Sequence, residues 1–202
     1  MNRAELKDRV CRAHHELKDR GLMIYTWGNV SAIDRDSGEI AIKPSGIPCE
    51  TLRPEDIVVI DLAGKVVEGH YKPSSDTPTH LRLYSAFARV GAIVHTHSLF
   101  ASAWAQAGRS LPCLGATHAD CFLGSVPCPR ALSLHEITGD YETEIGNVIV
   151  ETFETKRRDP LRTPAVLVNC HGPFTWGETV EDAVYNAVVL EELARMSHVT
   201  MQ

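Results

Sequence analysis

Gly91-Ala92-Ile93-Val94-His95-Thr96-His97-Ser98 is the stretch on which the reading of this chain turns. Its apolar lead-in is short and β-branched and follows a helical pattern, so it reads as a strand. Side chains alternate across a strand, which sends His95 and His97 to the same face. Two imidazoles on one rigid face form a ready pair of metal ligands, needing one or two more donors from elsewhere. The competing reading is a strand end whose polar residues meet solvent, and the remaining sequence has to decide between the two.

On the N-terminal side of this strand, Asp76 opens a helix with Pro78 early and Leu81, Tyr84, Phe87 and Ala88 on one face. Before that the pattern is antiparallel and meander-like. A helix over Ala4–Arg20 stops at Gly21, with His14 and His15 among charges and expected at the surface. Strands follow at Leu22–Thr26, Val30–Asp34 and Ile40–Ile42, the last two joined by an Asp36-Ser37-Gly38 turn. A second hairpin joins Ile57–Ile60 to Lys65–Val67. On the C-terminal side come a small-residue helix over Leu99–Ala107, a strand near Leu111–Leu114 and an ordered loop over Thr117–Pro129. The chain continues with a helix over Asp140–Phe153, a buried strand over Ala165–Asn169 broken by Gly172-Pro173, and a long helix over Val180–Ser197. These elements fit a three-layer α/β/α fold around a central, mostly antiparallel sheet, with residues 1–202 as a single domain.

A formal net charge of −6 argues against nucleic acid as the main partner but leaves room for an anionic small substrate in a local pocket. Cys11, Cys49, Cys113, Cys121, Cys128 and Cys170 are scattered and form no Cys-x-x-Cys pair, which points to reduced thiols and a cytoplasmic protein. No apolar run approaches the roughly 20 residues needed to span a bilayer, so no membrane partner is expected.

Three loop segments carry Gly, Ser and Asn together: Trp27-Gly28-Asn29-Val30-Ser31, Lys43-Pro44-Ser45-Gly46 and Pro73-Ser74-Ser75-Asp76-Thr77. Ser74 and Ser75 precede a helix N-terminus, where unpaired N–H groups and the helix dipole favour an anion. Asn29, Ser45 and Gly46 can close such a site, with Lys43 adding positive charge if it points inward. Each segment alone is an ordinary turn or cap; together they read as a phosphate cradle. Taken alone, Asp76 is a helix N-cap and His171 a turn residue. But His171 closes the strand Val166–Cys170, where a site beside His95 and His97 wants its third ligand. Three histidines and one carboxylate make a plausible Zn²⁺ shell, with other divalent ions open.

These blocks, in order, resemble the signature segments of the class II aldolase/epimerase family. Thr117-His118-Ala119-Asp120 and Trp104-Ala105-Gln106-Ala107-Gly108 resemble its 4-epimerase branch most closely. The resemblance covers nearly the whole chain. It implies a Zn²⁺-dependent isomerase that interconverts two ketopentose phosphates, L-ribulose 5-phosphate and D-xylulose 5-phosphate, by retro-aldol cleavage of C3–C4. It implies His95, His97 and His171 as metal ligands with Asp76 as the fourth. It also implies Gly28, Asn29, Ser45, Gly46, Ser74 and Ser75 as substrate and phosphate contacts, Asp120 as an acid/base residue, and a homotetramer with sites near subunit interfaces. The family's second acid/base residue is a tyrosine in a tail beyond the last helix. This chain has no tyrosine after Tyr185, and neither Tyr141 nor Tyr185 stands in a matching motif. The expectation is therefore an absent tail and either weakened epimerisation or a different group on the second face. Two alternatives follow: a fuculose-phosphate-type class II aldolase, and an impaired metal-binding homologue on the same fold. The adducin head domain resembles that second kind, but without the metal-binding histidines.

Overall fold

Alternation along β5 (Ala92–His95) divides the molecule in two in the computed structural model, which describes residues 2–202. Ala92 and Val94 join one core with α1 (Arg3–Asp19) and α7 (Val180–Thr200). Ile93 joins another with α2 (Thr77–Ala86) and α6 (Tyr141–Thr155), and His95, two residues on, faces the same way. The sheet thus lies between two helical layers. Its other strands are β1 (Asn29–Asp34), β2 (Glu39–Ile42), β3 (Val58–Ile60), β4 (Val66–Glu68), β6 (Ala165–Leu167) and β7 (Pro173–Gly177). Their order is β4-β3-β2-β1-β5-β7-β6, with every neighbouring pair antiparallel. A third apolar cluster packs α3 (Leu99–Gln106) and β6 against the C-terminal half of α7 through Trp104, Leu167, Leu190 and Leu193. This is the three-layer, antiparallel α/β architecture that the sequence pattern implies.

The differences have local causes. Leu22–Thr26 is not a strand: Tyr25 has φ 54°, and both edges of β1 are already paired, with β2 and β5. Leu111 makes a single bridge with Val126 rather than a strand. The segment expected as loop over Thr117–Pro129 begins with a short helix, α4 (Ala116–Cys121). A further short helix, α5 (Leu134–Thr138), is set by a Ser133–Glu136 capping box. The strand expected over Ala165–Asn169 ends at Leu167, and the chain turns back as β7, whose central position between β5 and β6 residue patterning does not reveal. His14 is not at the surface: its ring is fully buried, Nδ1–H donating to the Val10 carbonyl (2.7 Å) while Nε2 accepts from the Val30 N–H (2.9 Å).

Candidate metal centre and phosphate cradle

His95 is the last residue of β5, stacked on Phe174 of β7 with ring centroids 4.1 Å apart. Its Nδ1 lies 2.9 Å from the Pro173 carbonyl oxygen, so Nδ1 carries the proton and Nε2 is left with a free lone pair. That Nε2 sits 3.1 Å from Nε2 of His97. The strand ends at His95, yet the two-residue spacing still brings both rings to one side. His171 comes from a tight turn between β6 and β7. There Cys170 adopts φ 60° and the Val168 N–H bonds the Gly172 carbonyl at 2.9 Å. The ligand atoms of His95, His97 and His171 lie within 4.8 Å of one another.

Burial sets the charge of all three. Desolvation lowers the pKa of His95 to about 3, and the neighbouring imidazole of His97 lowers it further. His171 is likewise lowered to about 3, by desolvation and by His95. His97 is lowered by desolvation, with the Asp76 charge opposing. Neutral imidazoles converging on one point are the donor set a divalent ion needs. Tetrahedral bonds of about 2.0–2.1 Å put ligand nitrogens about 3.3 Å apart, close to the His95–His97 spacing. The residues therefore fit a metal ion.

Asp76 precedes α2 at its N-cap position but makes no side-chain cap hydrogen bond. Its carboxylate instead accepts from Asn29 Nδ2 at Oδ2 (2.6 Å), and its charge reaches His97 and His171, opposing the lowering of their pKa values. The three-histidine cluster closes without it. Asn29 also donates to Ser74 Oγ at 3.0 Å, so one amide ties β1 to the loop ahead of α2. The two serine loops are stitched together by main chain: the Ser45 N–H bonds the Lys72 carbonyl (2.9 Å) and the Ser74 N–H bonds the Lys43 carbonyl (3.0 Å). Gly28 permits the close approach of the remaining loop. It has φ 81°, and a Cβ there would stand 2.5 Å from the His95 carbonyl oxygen.

Gly28, Asn29, Ser45, Gly46, Ser74, Ser75, Asp76, His97 and His171 together line a cavity of about 340 Å³, and the fully buried His95 touches the last two from behind this lining. Two expected residues are elsewhere. Lys43 does not line the cavity; it follows the parity of Ala41, toward the α1 layer, and its buried ammonium donates to the Pro44 carbonyl at 3.3 Å. Desolvation lowers its pKa. Asp120 is exposed on α4, outside the cavity of its own chain. Conversely, the cavity wall includes Tyr141 and Glu142 from the start of α6, to which sequence reading assigned no role. The only sequence signal at that point was the start of a helix, which says nothing of what the helix faces.

Residues 8–198 match the family described as class II aldolase and adducin N-terminal domain. The L-ribulose-5-phosphate 4-epimerase UlaF of Salmonella paratyphi B is 55% identical over 193 residues, covering 96% of this chain and 84% of that protein. The protein of the same name from Salmonella typhi gives the same figures, 55% over 193 residues. Among solved structures, an L-fuculose 1-phosphate aldolase superposes with TM-score 0.83 at 26% identity, over 98% of this chain and 86% of that one. L-fuculose-1-phosphate aldolase from Thermus thermophilus shares the fold, with TM-score 0.77 at 24% identity over 99% of this chain and 97% of that one.

Proposed function

The chain belongs to the class II aldolase and adducin N-terminal domain family, and on that premise we propose that it is a metal-dependent L-ribulose-5-phosphate 4-epimerase. One observation carries the reading: a cluster of three neutral histidines, His97 and His171 of which line the cavity, borders the same space as the serine- and asparagine-bearing loops. That pairing suits a substrate with a phosphate at one end and adjacent oxygens at the other. The 55% identity to curated 4-epimerases over nearly the whole chain narrows the class to L-ribulose 5-phosphate and D-xylulose 5-phosphate.

His95, His97 and His171 would hold the ion, which we assign as Zn²⁺, and Asp76 beside them is our fourth ligand. When bound, it supplies Lewis-acid stabilisation of the negative charge that develops as C3–C4 breaks. The protein supplies the rest. Ser45, Gly46, Ser74 and Ser75 grip the phosphate, so the two-carbon aldehyde stays held while its carbonyl turns to present the opposite face. Asn29 fixes the Asp76 carboxylate and the Ser74 hydroxyl relative to each other. Asp120 is our acid/base residue; because it lies outside its own chain's cavity, we assign it to the site of a neighbouring copy in a homotetramer. Support for such an interface comes from large apolar side chains left at the surface, among them Trp27 at the cavity mouth and Leu114 ahead of α4, 56% and 50% exposed. Among the described residues no helix is long and apolar enough to cross a membrane, and all six cysteines are unpaired, which suits the cytoplasm we assign.

The test is product analysis on L-ribulose 5-phosphate. Formation of D-xylulose 5-phosphate, lost on chelation and restored by Zn²⁺, is the expected result. Glycolaldehyde phosphate as the sole phosphorylated product would overturn the assignment in favour of an aldolase.

A further inference from the structure

Each ligand imidazole has a second nitrogen, and what holds it decides where the first one points. For His95 that partner is the Pro173 carbonyl. His171 sits on a turn, with no strand ladder through its own backbone, so its ring must be set from the sides. One flank is the His95 ring, edge-on at 4.7 Å between centroids. The other is Tyr141, whose ring lies 6.0 Å away and within 18° of parallel, with its hydroxyl oxygen 3.5 Å from His171 Nδ1.

Tyr141 is itself firmly placed. It opens α6, and α6 lies tight on α2, the helix that begins one residue after Asp76. The Thr79 hydroxyl donates to the Glu142 carbonyl at 2.5 Å, and Arg82 Nε donates to Asn147 Oδ1 at 2.8 Å. Gly146 allows this approach, since a Cβ there would stand 2.7 Å from Arg82 Cβ. The two sides of the metal centre therefore hang from one helix pair.

We propose that Tyr141 is a positioning residue for the metal centre: its phenol oxygen accepts the Nδ1 proton of His171, holding that ring in the tautomer that turns Nε2 to the ion. This rests on the metal-dependent reading above. The hydroxyl contact is long for a hydrogen bond, so the ring stack carries orientation and the oxygen carries the choice of tautomer. Tyr141→Phe keeps the stack and removes the acceptor; Tyr141→Ala removes both. Losing such a partner weakens metal affinity by about 10–100-fold.

The experiment is chelator competition for Zn²⁺, with the visible spectrum of the Co²⁺-loaded protein as a second readout. Tyr141→Phe should bind Zn²⁺ about 10-fold more weakly with an altered Co²⁺ spectrum, its metal-free form unfolding at the wild-type urea midpoint. Tyr141→Ala should bind more weakly still, with a lowered midpoint because that ring packs against the α2–α6 core. Unchanged affinity and spectrum in both variants, with wild type binding one ion, would overturn the positioning role alone. Weaker binding by Tyr141→Phe that tracks a lowered urea midpoint in that variant would overturn it too, by reducing it to folding. A wild-type chain that binds neither ion would overturn the reading on which it rests.

Discussion

His14 gives the sharpest quantitative test of the structure. Its ring is locked as the neutral Nδ1–H tautomer, because the Val30 N–H points at Nε2 and leaves no room for a second proton. Desolvation lowers its pKa from 6.5 to about 3. Above pH 6.5 the residue is neutral in both folded and unfolded chains and titration costs nothing. Below that value the unfolded chain takes up a proton that the folded chain refuses, so stability is lost as pH falls from 6.5 toward 3. At pH 5 the loss is about 1.5 units of pH at about 1.4 kcal/mol each, or about 2 kcal/mol. That is a sizeable part of a typical total of about 5–15 kcal/mol. Urea unfolding of metal-free wild type and His14→Gln, at pH 8 and at pH 5, isolates it. The variant should be less stable at pH 8 by about 1–3 kcal/mol, for the imperfectly satisfied Val30 N–H. The gap should close by about 2 kcal/mol at pH 5, because the site histidines titrate in both proteins and cancel. Parallel pH dependences would refute the burial and the hydrogen-bond direction together.

Two glycines test the placement of the site. Gly28→Ala should cost about 2–5 kcal/mol, from a side chain at φ 81° and a 2.5 Å collision with the His95 carbonyl, and should weaken Zn²⁺ binding; an unchanged urea midpoint would refute the close approach. Gly146→Ala should destabilise by about 1–3 kcal/mol by thermal unfolding, despite gaining about 1 kcal/mol of helix propensity, because its Cβ would press on Arg82; a more stable variant would show that α6 and α2 are not so close.

Much of this molecule was legible in short-range pattern. Short β-branched or apolar runs bounded by turn signals marked β1, β2, β3 and β5, which are buried on both faces, and helical apolar patterning marked α1, α2, α6 and α7, because both signals depend on residues a few positions apart. The shared side of His95 and His97 followed from the alternating direction of side chains along a strand, and the glycine- and serine-bearing loops advertised their backbone chemistry. What pattern could not reach were facts set by partners distant along the chain. His14 sits among charges in sequence, yet α1 turns that residue onto Val30 of β1. Lys43 belongs to a cradle segment, but strand parity sends its side chain to the opposite layer from the cavity. β7 begins with proline right after Gly172, a signal that reads as a break rather than as a central strand. Tyr141 reaches His171 only because Gly146 lets two helices far apart in sequence lie close together. By itself the sequence determined most of the helices and strands and which residues are candidates for holding a metal or a phosphate, because those depend on neighbours a few positions away. Which of them meet, and which helix supplies the wall beside His171, was decided by the antiparallel order of the sheet and the packing of α6 on α2.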